Sequence, residues 1–444
     1  MFRLTKATEA NKIGKAANDD VRRVQELRNE NGKFGSQLAW QGIMLFYMLA
    51  LIVMGAFWPG THSLSEGLVR ILESPSLLLS DYMLIGGPGA ALVNAGLVGL
   101  VGLALVPLSG ASLAGGSVAG IFTLAGFALF GKNPLNILPI IAGVYVYSRV
   151  KRTPFKTYLG PAMFGTAIAP LVSQMTFGFG LPWYAGLAAG LVAGFVMPAL
   201  ASHLLPNHQG HNLYNIGFTA GILGTLAMAL LRTVGHTSVP VMHWSTEHSS
   251  AMFVAFAVYF ASMVLLGLLL KGTWRGVGEI HKQSGVLITD FTALVGFPTT
   301  FVNMGIMGLM SLLYLQLIGG DVNGPTLGGV LTIVGFAAFG KHLKNSLPVM
   351  AGVWIACLIL VPNASQPGPQ LAALFGTTLA PIAGSFGPLA GVVAGFLHLS
   401  VVMHVGVMHG GMNLYNNGLA GGLVATMMIA IIPALQPQRN SGNV

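Results

Sequence analysis

The feature that most constrains this chain is that it is written twice. His208–Gly221, HQGHNLYNIGFTAG, returns 201 residues later as His409–Gly422, HGGMNLYNNGLAGG. The flanks return with it. AGLAAGLVAGF at 185–195 is answered by PLAGVVAGF at 388–396, and FGTAIAP at 164–170 by FGTTLAP at 375–381. VNAGLVGL at 93–100 recurs as VNMGIMGL at 302–309, and GFALFGKNPLNILPIIAGV at 126–144 as GFAAFGKHLKNSLPVMAGV at 335–353. A unit of about two hundred residues has been duplicated, so whatever fold it adopts is built twice.

Composition decides where that fold lives. Only 7% of the 444 residues are charged and 54% are hydrophobic, whereas a soluble domain carries about 25% charged residues. Such a chain cannot clothe a water-facing surface; it reads as an all-α polytopic membrane protein. The 61 glycines agree, because small residues let helices approach closely in lipid. The net charge of +9 is a topology signal and not a nucleic-acid one, since the basic residues sit in the tail and in short loops. The single cysteine, Cys357, excludes a disulfide or a cysteine metal site within one protomer.

Three regions follow: a charged tail at 1–37, repeat 1 at 38–246 and repeat 2 at 247–444. The tail holds eight Lys/Arg and five Asp/Glu, with Val21, Val24 and Leu27 at the spacing of a short surface helix. Apolar runs predict spans at 38–58, 83–107, 112–130, 134–149, 157–175, 181–204 and 213–234 in repeat 1. In repeat 2 they fall at 250–270, 292–317, 325–340, 346–362, 369–385, 390–405 and 413–433. That makes about 14 spans, with 157–175 and 369–385 as alternative re-entrant segments and 64–80 and 276–289 as interfacial pieces.

Seven crossings per unit put Arg149, Lys151, Arg152 and Lys156 on one side, together with Lys271, Arg275, Lys282, Lys341 and Lys344. By the positive-inside bias both termini are then cytoplasmic, in a bacterial inner membrane. An odd number makes the units inverted-topology repeats, a plan that places the working site at their interface near the bilayer midplane.

Polar residues kept in both copies are the candidate lining of that site, because polar groups in lipid must face a cavity or a partner. Lys132/Lys341 and Asn136/Asn345 share a helix face with Pro139/Pro348, whose missing N–H predicts a break in the helix. A lysine at a helix start adds to the positive end of the helix dipole and attracts anions. His203/His404 lie away from the glycine seams Gly186/Gly190/Gly194 and Gly387/Gly391/Gly395, and in inverted units would present two imidazoles to one solute. Asn212/Asn413 read as N-caps of the last span of each unit. Tyr214/Tyr415, Asn215/Asn416 and Asn94/Asn303 complete the predicted substrate-binding set; Asp81/Asp290 and Thr166/Thr377 are also kept in both copies.

The competing class is a membrane-embedded metal protein or enzyme using His203/His208/His211 and His398/His404/His409. The spacings differ between the copies and His211 becomes Met412, which weighs against a metal. Only seven of the twelve Asp/Glu lie beyond the tail, and no nucleophile–base arrangement is visible, so neither an enzyme nor a cofactor is expected. The expected partners are the bilayer, a small polar solute and possible further copies of the chain in a homo-oligomer.

The doubled GFA-x-FGK and NLYN-x-G-x-x-(A/G)-G patterns resemble an uncharacterised family of bacterial two-repeat membrane proteins, a domain of unknown function. NLYNIG and NLYNNG are also faintly similar to the Leu-Tyr-Gly-Phe-Asn type segment of urea channels, although no Leu-Pro-x-x-Thr-x-Pro-Phe type segment accompanies them. That second resemblance implies a transporter or channel for a small polar solute. The paired lysines tilt the reading toward an anionic one.

Overall fold

The computed structural model describes residues 37–60 and 63–435, so the tail and its expected surface helix lie outside the described residues. Among the described residues the chain is helical throughout, with one isolated bridge between Ser80 and His243. Eight helices are long and apolar enough to cross a bilayer. Four belong to each unit: Gln37–Ala56, Pro88–Leu108, Trp183–His208 and Asn215–Thr233, then Ser249–Leu269, Phe291–Leu317, Pro388–Val405 and Asn416–Leu435. The protein is therefore a polytopic, membrane-embedded helical protein.

Of the about 14 expected spans, eight form helices long enough to cross and four more form shorter apolar helices, among the described residues. The apolar run 112–130 yields only Gly115–Phe127, and 325–340 only Gly324–Phe336. Thirteen residues rise about 20 Å, short of a hydrocarbon core of about 30 Å. Every residue of Gly324–Phe336 is buried, as is all of Gly115–Phe127 except Gly116. Hydropathy cannot tell a helix sheathed in lipid from one sheathed in protein, and these two are the latter. Pro134–Val150 and Leu343–Ile359 run unbroken through Pro139 and Pro348, so the expected proline breaks do not occur there.

The broken pieces lie elsewhere. The 157–175 run divides into Leu159–Phe164, a 3-10 turn at Gly165–Ile168 and Ala169–Ser173. Its repeat divides into Pro367–Gly376, Thr377–Leu379 and Ala380–Phe386. Pro170 and Pro381 stand at the same point of each, where a missing N–H ends the preceding ladder. The pieces expected at the interface form the helices Leu64–Glu73 and Trp274–Ile280.

The units grip one another through reciprocal contacts. A Cβ added to Gly126 would stand 2.7 Å from Gly328 O, and one on Gly335 would stand 2.9 Å from Ala119 O. Residues 126 and 335 are equivalent, as are 119 and 328, so the Gly115–Phe127 and Gly324–Phe336 helices lie antiparallel with the two ends exchanged. Asp290 accepts from Gly115 N–H at 3.0 Å and Asp81 accepts from Gly324 N–H, each acid capping the other unit's central helix. A second crossing joins Asn215–Thr233 to Asn416–Leu435, where a Cβ on Gly418 would meet Gly217 Cα at 2.8 Å. Backbone bonds close the contact: Leu213 N–H to Thr378 O at 3.0 Å, and Leu414 N–H to Ala167 O at 2.9 Å.

Candidate functional site between the two units

Each central helix ends in a tight turn that delivers a lysine to the interface. Lys132 N–H returns to Phe127 O at 3.0 Å and Lys341 N–H to Phe336 O at 2.9 Å. The preceding Gly131 and Gly340 have positive φ, 150° and 107°, and each lies against the other unit's leucine, Leu414 and Leu213. A side chain at either glycine would collide there. Asn94 Nδ2 donates to Ala128 O at 2.6 Å and to Lys132 O at 2.8 Å, clamping the turn. Asn303 does the same for Ala337 O and Lys341 O at 2.8 and 3.0 Å. Both amides are thus structural holders of the lysine backbone.

The lysine side chains cross over. Lys132 Nζ donates to Tyr415 Oη at 2.6 Å, and Lys341 Nζ donates to Tyr214 Oη, so each lysine is held by the opposite unit's NLYN tyrosine. Lys341 Nζ also donates to Thr377 Oγ1 at 2.7 Å. Lys132 stands over the rings of Tyr415 and Phe127, 4.5 and 5.1 Å from their centroids. Lys341 stands over Tyr214 and Phe336, at 4.5 and 5.3 Å. Both lysines are 0% exposed, which corrects the placing of Lys341 among surface loop charges. Among the described residues neither has a carboxylate within ion-pair distance. Aromatic faces and hydroxyls stabilise a cation, but they leave its charge unneutralised.

Beside these pairs lies a cavity of about 750 Å³, walled by residues of both units. Tyr214 and Tyr415 stand on its wall with Phe127, Phe336 and Phe375, while exposed Thr157, Leu205 and Ile288 lie along it farther out. The equivalent segment in the other copy of the unit is covered. There the linker between the units pairs with the strand-like segment at 78–81: Leu79 N–H to Val241 O and Val241 N–H to Leu78 O, both 2.8 Å, and His243 N–H to Leu79 O at 2.9 Å. Ser245 continues the cover, donating from N and Oγ to Asp81 Oδ2 at 2.9 and 2.6 Å. The matching Ile288 N–H and Asp290 N–H have no partner among the described residues.

The other predicted residues take different places. Asn136 and Asn345 close capping boxes: Asn133 N–H and His342 N–H donate to their Oδ1 atoms at 2.9 and 3.0 Å. Their Nδ2 atoms donate to Gly131 O and Gly340 O at 3.0 and 2.9 Å. Asn212 and Asn413 are not N-caps, because the helices start three residues later at Asn215 and Asn416. Their Oδ1 atoms instead accept from Tyr214 N–H and Tyr415 N–H, two residues on, at 3.2 and 3.0 Å, forming Asx turns that aim the tyrosines. Asn215 and Asn416 are tied to His208 and His409, Oδ1 to Nε2, at 3.0 Å in both units. Their Nδ2 atoms donate to Ala201 O and Val402 O.

His203 and His404 are exposed, and neither lines the cavity, so the two imidazoles do not converge on it. The other repeated histidine pair, His208/His409, is buried and bonded to an amide. No group of three or more His, Cys, Asp or Glu is placed to hold a metal among the described residues. His211 pairs with Ser385 Oγ and His398 with Asn417 Oδ1, so the two histidine clusters are dispersed. Residues not singled out from the sequence also belong to the site: Phe127/Phe336, in the repeated GFA-x-FGK, and Thr123/Thr332. Their recurrence was a usable signal, hidden because apolar and threonine side chains look like ordinary helix filling.

No curated protein and no solved structure is similar to the chain. A family model matches it twice, over residues 61–233 and again over 270–434, one match to each copy of the duplicated unit. The chain belongs to the family described as protein of unknown function, DUF1576.

Proposed function

We propose that the protein is a transporter or channel for a small polar solute bearing an anionic group, with its pathway at the interface of two inverted repeats. The observation that carries this reading is the crossed lysine pair: two fully buried lysine side chains without a carboxylate partner among the described residues, beside a cavity shared by both units. A buried cation is expensive unless a counter-charge is supplied, and a passing anion supplies it. The antiparallel central helices are what two oppositely oriented units would present to one another. One cavity beside Ile288 and Asp290, whose N–H groups have no partner among the described residues, against a covered counterpart at 78–81, suits a device that opens its two sides in turn.

Two experiments test the proposal. Flux of small anions into proteoliposomes is expected for the wild-type chain and lost on Lys132→Ala with Lys341→Ala; equal flux in the double variant would remove the site. In a Cys357→Ser background, Lys151→Cys and Val361→Cys are expected to react with an impermeant thiol reagent from opposite sides. Labelling from the same side would end the inverted arrangement.

A further inference from the structure

The cavity wall says more about the solute than the lysines alone. Most of its surface is apolar, contributed by Phe127, Phe336, Phe339, Phe375, Met163 and Leu159. Tyr415 and Tyr214 stand in that wall and meet the two lysines. Two hydrogen-bonding groups of the wall are left over. Tyr415 Oη accepts from Lys132, so its own hydrogen is free to donate, and it has no acceptor among the described residues. Thr123 is buried and also lines the cavity, yet its Oγ1 has no partner, whereas its equivalent Thr332 donates to Gly328 O at 2.7 Å. Lys341 is further satisfied by Thr377, while among the described residues Lys132 has no matching bond to Thr166, whose hydroxyl donates to Met163 O. Unspent donors thus stand in the wall of a mostly apolar chamber.

An inorganic anion or a compact polar solute would match the donors and leave the chamber filled with water against aromatic rings. Burying apolar surface is the favourable use of such a wall. We infer that the site takes an amphiphilic organic anion: a single carboxylate or comparable charged head that accepts from Tyr415 Oη and Thr123 Oγ1, with a hydrophobic body among the phenylalanines. The inference rests on the anion reading above and narrows its solute from polar to amphiphilic. The hydroxyl of Tyr415 is polarised by the lysine that donates to it, which strengthens it as a donor to the head group.

The test is equilibrium binding to the full-length purified chain in nanodiscs, with benzoate, acetate, benzamide and dodecanoate as probes. Benzoate or dodecanoate is expected to bind at least about 10-fold more tightly than acetate, from the apolar body. Either is also expected to outbind neutral benzamide by about the same factor, from the head group. Preference for benzoate indicates a water-borne solute and preference for dodecanoate one drawn from the bilayer; both support the inference. Tyr415→Phe keeps the ring, and it should abolish the preference for benzoate over benzamide while the preference for benzoate over acetate stays, a split that a mere loss of folded protein would not give. Acetate binding as tightly as benzoate would overturn the amphiphilic body and leave the anion reading standing. Benzamide binding as tightly as benzoate, or no probe binding at all, would overturn both.

Discussion

Replacing each buried lysine by methionine separates what the site does from what the fold needs. Methionine keeps the length and apolar stem of the side chain and removes the cation. A buried ammonium carries a desolvation penalty of several kcal/mol. Against it, Lys132 has one hydrogen bond, worth about 1.5–3 kcal/mol for a charged donor. Two aromatic faces add about 2 kcal/mol more. These gains roughly balance the penalty, so Lys132→Met is expected to be neutral or stabilising. Lys341 has the same two aromatic faces and a second hydrogen bond, to Thr377 Oγ1 at 2.7 Å, which adds about 1.5–3 kcal/mol. Lys341→Met should therefore be the less stable variant by about that amount, although the two positions are equivalent in sequence. Denaturant unfolding in detergent reads the difference, and proteoliposome flux is expected to fall in both variants. If Lys341→Met proves as stable as Lys132→Met, the second bond contributes nothing and the asymmetry argued from it collapses. If both variants retain full flux, the lysines do not serve the pathway.

Three further expectations concern the scaffold. Gly418→Val places atoms against the Gly217 backbone at 2.8–3.0 Å, where nothing flexible can yield, and should cost about 1–3 kcal/mol or more in unfolding experiments. Gly116→Ala, whose nearest neighbour would be Phe339 at 3.6 Å, is the control, and a comparable loss there would discount the close crossing. His208→Ala or His409→Ala strips a partner from half-buried Asn215 or buried Asn416, and should lower stability by about 1–3 kcal/mol. His203→Ala and His404→Ala, on the exposed surface, should stay within about 0.5 kcal/mol; similar losses in all four would contradict the assigned roles. Asn94→Leu leaves Ala128 O and Lys132 O without their donor and should both destabilise the chain and reduce flux. A stable variant with unchanged flux would show that the clamp on the lysine turn is dispensable.

The duplication, the membrane setting and the helical class were legible from the sequence, because each depends on a property summed over many residues. Repetition of NLYN and GFA-x-FGK, a charge content too low for a water-facing surface, and long apolar runs leave little freedom in those conclusions. Pairing within the repeats could also single out Lys132/Lys341 and Tyr214/Tyr415 as polar residues that must find company. Which company they find was decided only in three dimensions. Nothing in the order of residues tells that Lys132 reaches Tyr415 and not Tyr214, since the crossing arises from how two units 201 to 211 residues apart pack together. Nor can hydropathy reveal that Gly115–Phe127 and Gly324–Phe336 are sheathed by protein, or that His203 points outward while His208, five residues on, is buried. Local chemistry fixes what a segment is able to be. The neighbours supplied by the rest of the chain fix which of its polar groups are satisfied, and those left over mark the site.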